Sequence, residues 1–377
     1  MSKPKRIEIQ DFALWDKKRE KPRPLYSFDL ELTARCNLNC RHCYINLPAN
    51  DPQAKAAELS LAEIEDIADQ ALDLGAMWVL LTGGEPLLRS DFAEVYMTLK
   101  RKGLLVSVFT NATLIHVEHI KLFRKYPPRD IEVTIYGSRQ EVYEAVTRKR
   151  GSFTAFKRGL NALDDAGVKV RLKAMALRSN LSDIEPITAF GQQYTKDFYR
   201  FDPVLHLRYD RDPLRNTEII SERLTPEEIV RLERADQART DSMEKDHDKY
   251  FIEAIKHHVD NHLFRCGTGN GSFTVGYDGT YRLCSSLVAP GTTTNLRKVS
   301  LREAWEAFVP LVREMRTENS ELLNTCGKCL ICNLCINCPA HAYLETGRMD
   351  AVVPYFCQVA HARAEALEAN LLKAPSR

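Results

Sequence analysis

Cys36-Asn37-Leu38-Asn39-Cys40-Arg41-His42-Cys43-Tyr44 follows an apolar, strand-like run from Tyr26 to Leu32. Its three cysteines are separated by three and then two residues, so their thiolates can fold around one side of an iron-sulfur cube, which takes thiolate ligands. Three ligands leave one iron open, and an open metal position marks a catalytic rather than a structural site. A zinc knuckle is the competing reading. Zinc would want a fourth protein ligand nearby, and His42, between the last two cysteines, is poorly spaced to close the same site.

CxxxCxxC at the end of a first strand resembles the signature of the radical S-adenosylmethionine (radical SAM) superfamily. The resemblance implies that Cys36, Cys40 and Cys43 hold a [4Fe-4S] cluster whose open iron takes the amino and carboxylate groups of SAM. It further implies reductive cleavage of SAM to methionine and a 5'-deoxyadenosyl radical, which abstracts a substrate hydrogen. His42 is counted with the cofactor-binding positions.

From Leu25 onward, short apolar runs alternate with helix-like segments, the pattern of parallel strands joined by crossover helices. Strands are expected at Tyr26 to Leu32, Met77 to Leu81, Leu104 to Phe109, Ile131 to Ile135, Val168 to Ala176 and Tyr199 to Leu207. Between them lie amphipathic helices such as Ser60 to Leu74, with a Ser60/Glu63 capping box and Gly75 as its stop. Six strand-helix units are too few for an eight-fold barrel, so the fold class is α/β, a partial (β/α)6 barrel of the kind the radical SAM family has. The expected units are an N-terminal arm (1–24), the barrel (25–224), a charged helical bridge (225–263) that opens on Thr225-Pro226-Glu227-Glu228, and a small cysteine-rich α+β domain (264–377).

In such barrels the C-terminal ends of strands build the site. The second strand ends in Thr82-Gly83-Gly84-Glu85-Pro86, where paired glycines let backbone approach a ligand and Glu85 offers an acceptor. It resembles the family's GGE motif, which implies that Gly83, Gly84 and Glu85 bind the amino group of SAM. Thr110-Asn111-Ala112 is similar to the family's turn after the third strand, which places Asn111 among the cofactor contacts. In the fourth strand Thr134 keeps the hydroxyl that the family turns toward SAM, while Tyr136 stands where an acid is common and would face substrate. On the fifth, Arg171 or Lys173 would reach the SAM carboxylate, or both lie on a solvated face. His257, His258 and His262 are read as a solvated face, because no HExxH pattern or third ligand accompanies them.

The chain has 377 residues, 44% hydrophobic and 28% charged, enough for two domains with cores. Its charge of +2, from 53 basic and 51 acidic residues, implies no bulk attraction to nucleic acid or membrane. The basic start Met1-Ser2-Lys3-Pro4-Lys5-Arg6 is followed by no apolar signal core, and no later stretch is long enough to span a bilayer, so a cytoplasmic location is expected. Eleven cysteines then argue for thiolate ligands in a reducing compartment rather than disulfides.

Eight of those cysteines follow Leu263: Cys266, Cys284, Cys326, Cys329, Cys332, Cys335, Cys338 and Cys357. Five of them form a ladder from Cys326 to Cys338 with two residues between neighbours, a spacing like that of bacterial ferredoxins. Five cysteines at uniform spacing fit two tetrahedral zinc sites less naturally than two cubanes. The region resembles the SPASM extension of radical SAM enzymes that act on peptides. That resemblance implies two auxiliary [4Fe-4S] clusters, the nearer on Cys266, Cys284 and Cys338, the distal on Cys326, Cys329, Cys335 and Cys357. Two residues, rather than the family's three, separate Cys335 from Cys338, and Cys332 is additional. The nearer cluster would keep an open iron or be closed by Cys332.

The resemblance thus implies modification of a ribosomally synthesised peptide, by a thioether or carbon-carbon crosslink or a related oxidation, with flavodoxin or ferredoxin as reductant. About 35 residues precede Cys36, too few for a winged-helix leader-recognition domain, so a separate recognition protein or another surface is expected to bind the leader. The alternatives are a radical SAM decarboxylase of a haem-pathway tetrapyrrole, with Arg171, Lys173, Arg200 and Arg208 for propionates, and a non-catalytic iron-sulfur carrier or scaffold. The vacant iron argues against the last.

Overall fold

The computed structural model describes residues 23–195, 199–251 and 260–371. Nearly all of the expected arm, together with His257 and His258, lies outside the described residues. Among the described residues eleven strands form, in chain order β1 (Ser27–Thr33), β2 (Arg35–Cys36), β3 (Leu47–Pro48), β4 (Trp78–Gly83), β5 (Leu105–Thr110), β6 (Asp130–Ile135), β7 (Val170–Met175), β8 (Tyr199–Asp202), β9 (Ser272–Val275), β10 (Thr280–Arg282) and β11 (Thr293–Asn295). Nine make one sheet in the order β11-β10-β9-β1-β4-β5-β6-β7-β8, and β2 and β3 make a short parallel pair.

The run from β1 through β4 to β8 is parallel throughout, the six strands the sequence predicts. On β7, Val170, Leu172 and Ala174 are buried, while Arg171, Lys173 and Met175 alternate with them on the other face, as strand geometry requires. The last strand is shorter than expected. It ends at Asp202 rather than Leu207, because Pro203 has no N–H to extend the ladder.

Helix Leu61–Leu74 buries Ile64, Ile67, Ala68, Ala71 and Leu74 at helical spacing. The Ser60/Glu63 capping box forms at its start, and Gly75, at φ 106°, stops it. The bridge is helical over Pro226–Ala235, Gln237–Lys245 and His247–Tyr250, and its Thr225/Glu228 box forms as well.

The sheet runs across the expected boundary at 263/264. β9 pairs in parallel with β1, Phe28 opposite Phe273, and those two rings stack at 5.4 Å. One apolar core therefore holds Phe28, Leu81 and Val133 together with Phe273, Tyr281 and Trp305. Smaller clusters around Leu334 and Leu367, and around Val353 and Phe356, pack the C-terminal helix Pro354–Leu371. Among the described residues no helix is long and apolar enough to cross a membrane.

Candidate active site and cysteine-lined cavities

The three-cysteine loop is tied down from several sides. At its ends β2 pairs with β3, and Leu47 N–H donates to Ala34 O over 2.8 Å. Arg208, nearly fully buried, donates to Cys43 O at 3.2 Å and Asn46 Oδ1 at 3.0 Å, while Arg215 donates to Cys40 O at 3.0 Å. Glycines at the end of β4 close the underside. A Cβ on Gly83 would stand 2.2 Å from Thr33 O, and one on Gly84 2.3 Å from Arg35 O, so only glycine lets this strand reach the loop.

A cavity of about 730 Å³ opens above this loop. Cys36, Cys40, Cys43, His42, Gly83, Gly84, Asn111 and Thr134 all line it, so the structure brings together the residues expected around one cofactor. Glu85 departs from expectation. Its carboxylate is fully buried and does not line the cavity. It accepts instead from Leu87 N–H (3.1 Å), the Thr110 hydroxyl (2.8 Å) and Asn111 N–H (2.8 Å), and burial raises its pKa to about 7. These bonds hold the end of β5 against β4 and fix the backbone of Asn111. The Asn111 amide then donates to Asn37 Oδ1 at 3.0 Å and approaches Cys36 Sγ at 3.8 Å.

Burial and the neighbouring Glu85 and Cys40 push the Cys36 thiol well above its ordinary pKa, and burial together with Cys43 does the same to Cys40. Such thiols become thiolates only beside a cation. Three of them at one end of a cavity, next to a glycine-built strand end, fit an iron-sulfur cluster with SAM beside it. Burial also lowers the His42 pKa to about 3, and among the described residues its Nδ1 has no hydrogen-bond partner.

The cations suggested for propionates are all paired within the protein. Arg171 meets Asp130 at 3.3 Å, Lys173 meets Asp202 at 2.6 Å, Arg200 meets Glu132 at 3.6 Å, and Arg208 meets Asp210 at 2.6 Å. Of these, only Lys173 lines the cavity. Sequence reasoning missed His206 and the group Glu233, Arg239 and Arg363, which also line it. The helical spacing of Arg239, Ser242 and Met243, all on the cavity wall, was the available signal.

A second cavity, of about 1080 Å³, is lined by Cys266, Cys326, Cys329, Cys332, Cys335, Cys338 and Cys357. Cys326, Cys329 and Cys357 stand close enough to Cys335 to raise its pKa, after burial, to about 11. Cys284 is raised first by burial and also by Cys338. Cys332 neighbours Cys329 of the distal set and Arg265, the residue before Cys266 of the nearer one. All eleven cysteines are free. Among the described residues no three His, Cys, Asp or Glu side chains converge as ligands of a single ion do. Asn333, Cys335 and Ile336 line both cavities and form the wall between them. His262, half-buried, lines the second cavity rather than a fully solvated face and lies between Asp260 and Glu314, each at 3.3 Å.

The model of the Radical SAM superfamily matches residues 30–190. A probable GTP 3',8-cyclase of Methanothermobacter marburgensis is 30% identical over 233 residues, 61% of this chain and 73% of that protein. The AdoMet-dependent heme synthase of Methanosarcina barkeri is 26% identical over 345 residues, 86% of this chain and 94% of that protein. SuiB of Streptococcus suis, solved bound to precursor peptide SuiA, shares the fold at a TM-score of 0.63 and 17% identity, over 87% of this chain and 74% of that one. The chain belongs to the radical SAM superfamily. It is therefore a SAM-dependent enzyme, with a [4Fe-4S] cluster and SAM as the implied cofactors, and the non-catalytic scaffold reading falls away.

Proposed function

We propose that this chain modifies a ribosomally synthesised peptide by radical SAM chemistry, completing a thioether or carbon-carbon crosslink. In this reading Cys36, Cys40 and Cys43 hold the cluster, and Gly83, Gly84, Asn111, Thr134 and His42 surround SAM. When bound, cluster and SAM together supply the 5'-deoxyadenosyl radical that abstracts a substrate hydrogen. Arg208 and Arg215 fix the cysteine loop, Glu85 fixes Asn111, and the buried walls exclude water from the reacting atoms. Cys266, Cys284 and Cys338 are assigned to a nearer auxiliary cluster, and Cys326, Cys329, Cys335 and Cys357 to a distal one.

The observation that carries the peptide reading is the cavity itself. Its volume of about 730 Å³ falls within the range of a single-ligand pocket, yet it has to admit SAM as well as the reacting group. A side chain inserted from a peptide suits that space better than a whole macrocycle, and the cations once suggested for propionates already have partners. The near full-length likeness to an AdoMet-dependent heme synthase favours the second reading, tetrapyrrole decarboxylation.

The test is anaerobic reconstitution, iron and sulfide counting, and a 5'-deoxyadenosine assay with flavodoxin or dithionite as reductant. Wild type should hold about twelve iron atoms, and the Cys36→Ala/Cys40→Ala/Cys43→Ala variant about eight with no product. Mass spectrometry on a co-encoded precursor peptide and on a carboxylated iron tetrapyrrole then decides the substrate. Decarboxylation of the tetrapyrrole with an unchanged peptide would overturn the leading reading.

A further inference from the structure

We propose that His206 is the proton acceptor of the crosslinking step; the assignment rests on the peptide reading above. His206 follows the end of β8, and its ring lines the cavity that Cys36, Cys40 and Cys43 also line. Its Nδ1 lies 3.3 Å from Leu207 O. A carbonyl only accepts, so the proton sits on Nδ1 and Nε2 is left as the acceptor. The ring is held in place on three sides. Tyr44, next in the chain to Cys43, packs against it at 4.8 Å, Tyr209 stacks at 6.2 Å, and His341 stacks at 5.4 Å. His341 is itself oriented by Ile336 O, 3.0 Å from its Nδ1, so the stack reaches the wall shared with the second cavity.

The groups facing His206 keep it neutral. Burial, with His341, Lys173 and Arg223 around it, lowers its pKa to about 4, and Asp202, which also lines the cavity, is already paired with Lys173. An uncharged imidazole is a competent base across the neutral range, and the imidazolium it becomes sheds its proton readily. The substrate reaches this step as a carbon radical beside a thiol. The carbon–sulfur bond forms, the S–H bond breaks and the proton passes to His206 Nε2; an iron-sulfur group held by the C-terminal cysteines would take up the one electron released.

The test uses cluster-loaded enzyme and a cysteine-containing candidate precursor peptide. His206→Ala and His206→Gln should each lower crosslink formation by about 100-fold, the range of a lost general base. 5'-Deoxyadenosine should still form, so that SAM cleavage runs uncoupled from product. Added imidazole should restore crosslinking in His206→Ala, with a pH profile that rises near the pKa of free imidazole. Independently of turnover, the peptide should protect His206 of wild type from carbethoxylation by diethyl pyrocarbonate, read by mass spectrometry. Crosslinking within about three-fold of wild type in both variants would overturn the assignment, as would loss without imidazole rescue or absence of protection. Wild type that leaves the peptide unchanged would instead overturn the peptide reading, and the proposal with it.

Discussion

The Thr110 hydroxyl donates to the buried Glu85 carboxylate over 2.8 Å, joining the ends of two neighbouring strands beneath the cofactor cavity. Glu85→Ala would leave this hydroxyl and the N–H groups of Leu87 and Asn111 without their acceptor. The expected loss is about 3 kcal/mol of stability, together with weaker SAM binding as Asn111 moves. Urea denaturation and calorimetric SAM titration check both. A variant that lost SAM binding at unchanged stability would show that the carboxylate touches the ligand.

Gly84 has backbone oxygens on two sides of its absent side chain, Arg35 O at 2.3 Å and Ala34 O at 2.6 Å. Gly84→Ala should displace Cys36, so that iron content falls by about four atoms per chain and 5'-deoxyadenosine formation is lost. Gly267→Ala, where a Cβ meets nothing within 4 Å, is the control and should keep both.

Arg208 holds the cysteine loop and does not line the cavity. Arg208→Gln should therefore speed loss of the first cluster to a chelator while KM for substrate stays within about two-fold, since no substrate-facing contact is removed. Iron release kinetics and steady-state assays separate the two effects.

Cys332 stands beside Cys329 and outside both sets of four and three cysteines assigned to the auxiliary clusters. Cys332→Ser should keep about twelve iron atoms, whereas Cys329→Ser should lose about four. A loss in Cys332→Ser would make Cys332 a ligand.

Asp29, half-buried on β1, has its pKa raised to about 6 by burial, against an ordinary value of 3.8. Between those values the folded chain binds more protons than the unfolded chain, so this group makes stability fall as pH rises through the window. Asp29→Asn should flatten that fall by on the order of 1 kcal/mol, a figure discounted for partial exposure. Urea midpoints at pH 4.5 and pH 7 measure it.

Much of this site was legible because its signals are local. The Cys36 loop, the Gly83-Gly84 pair and the Thr110-Asn111 turn each place backbone and ligands within a few residues, and each lines the cavity. The strands were legible through alternation and the helix Leu61–Leu74 through its caps. The direction of the Glu85 side chain was not, because a turn sequence does not say on which side of the strand end a carboxylate finds its donors. The pairing of β9 with β1 joins segments some 245 positions apart, and parallel pairing leaves no local pattern. His206, between Leu205 and Leu207, read as one more polar position of a strand that in fact ends at Asp202.

The pairing of Phe28 with Phe273 also bears on how such enzymes can be recombined. A chimaera that exchanges the cysteine-rich part with a relative at residue 263 would replace β9, one of the two neighbours of β1, and with it the Phe273 ring that stacks on Phe28. A junction after Asn295 keeps β9, β10 and β11 with the barrel they complete. The cysteine ladder from Cys326 onward is then the transferable piece, while Cys266 and Cys284 stay with the host. A transplanted nearer site would be a composite, two of its thiols from one parent and one from the other.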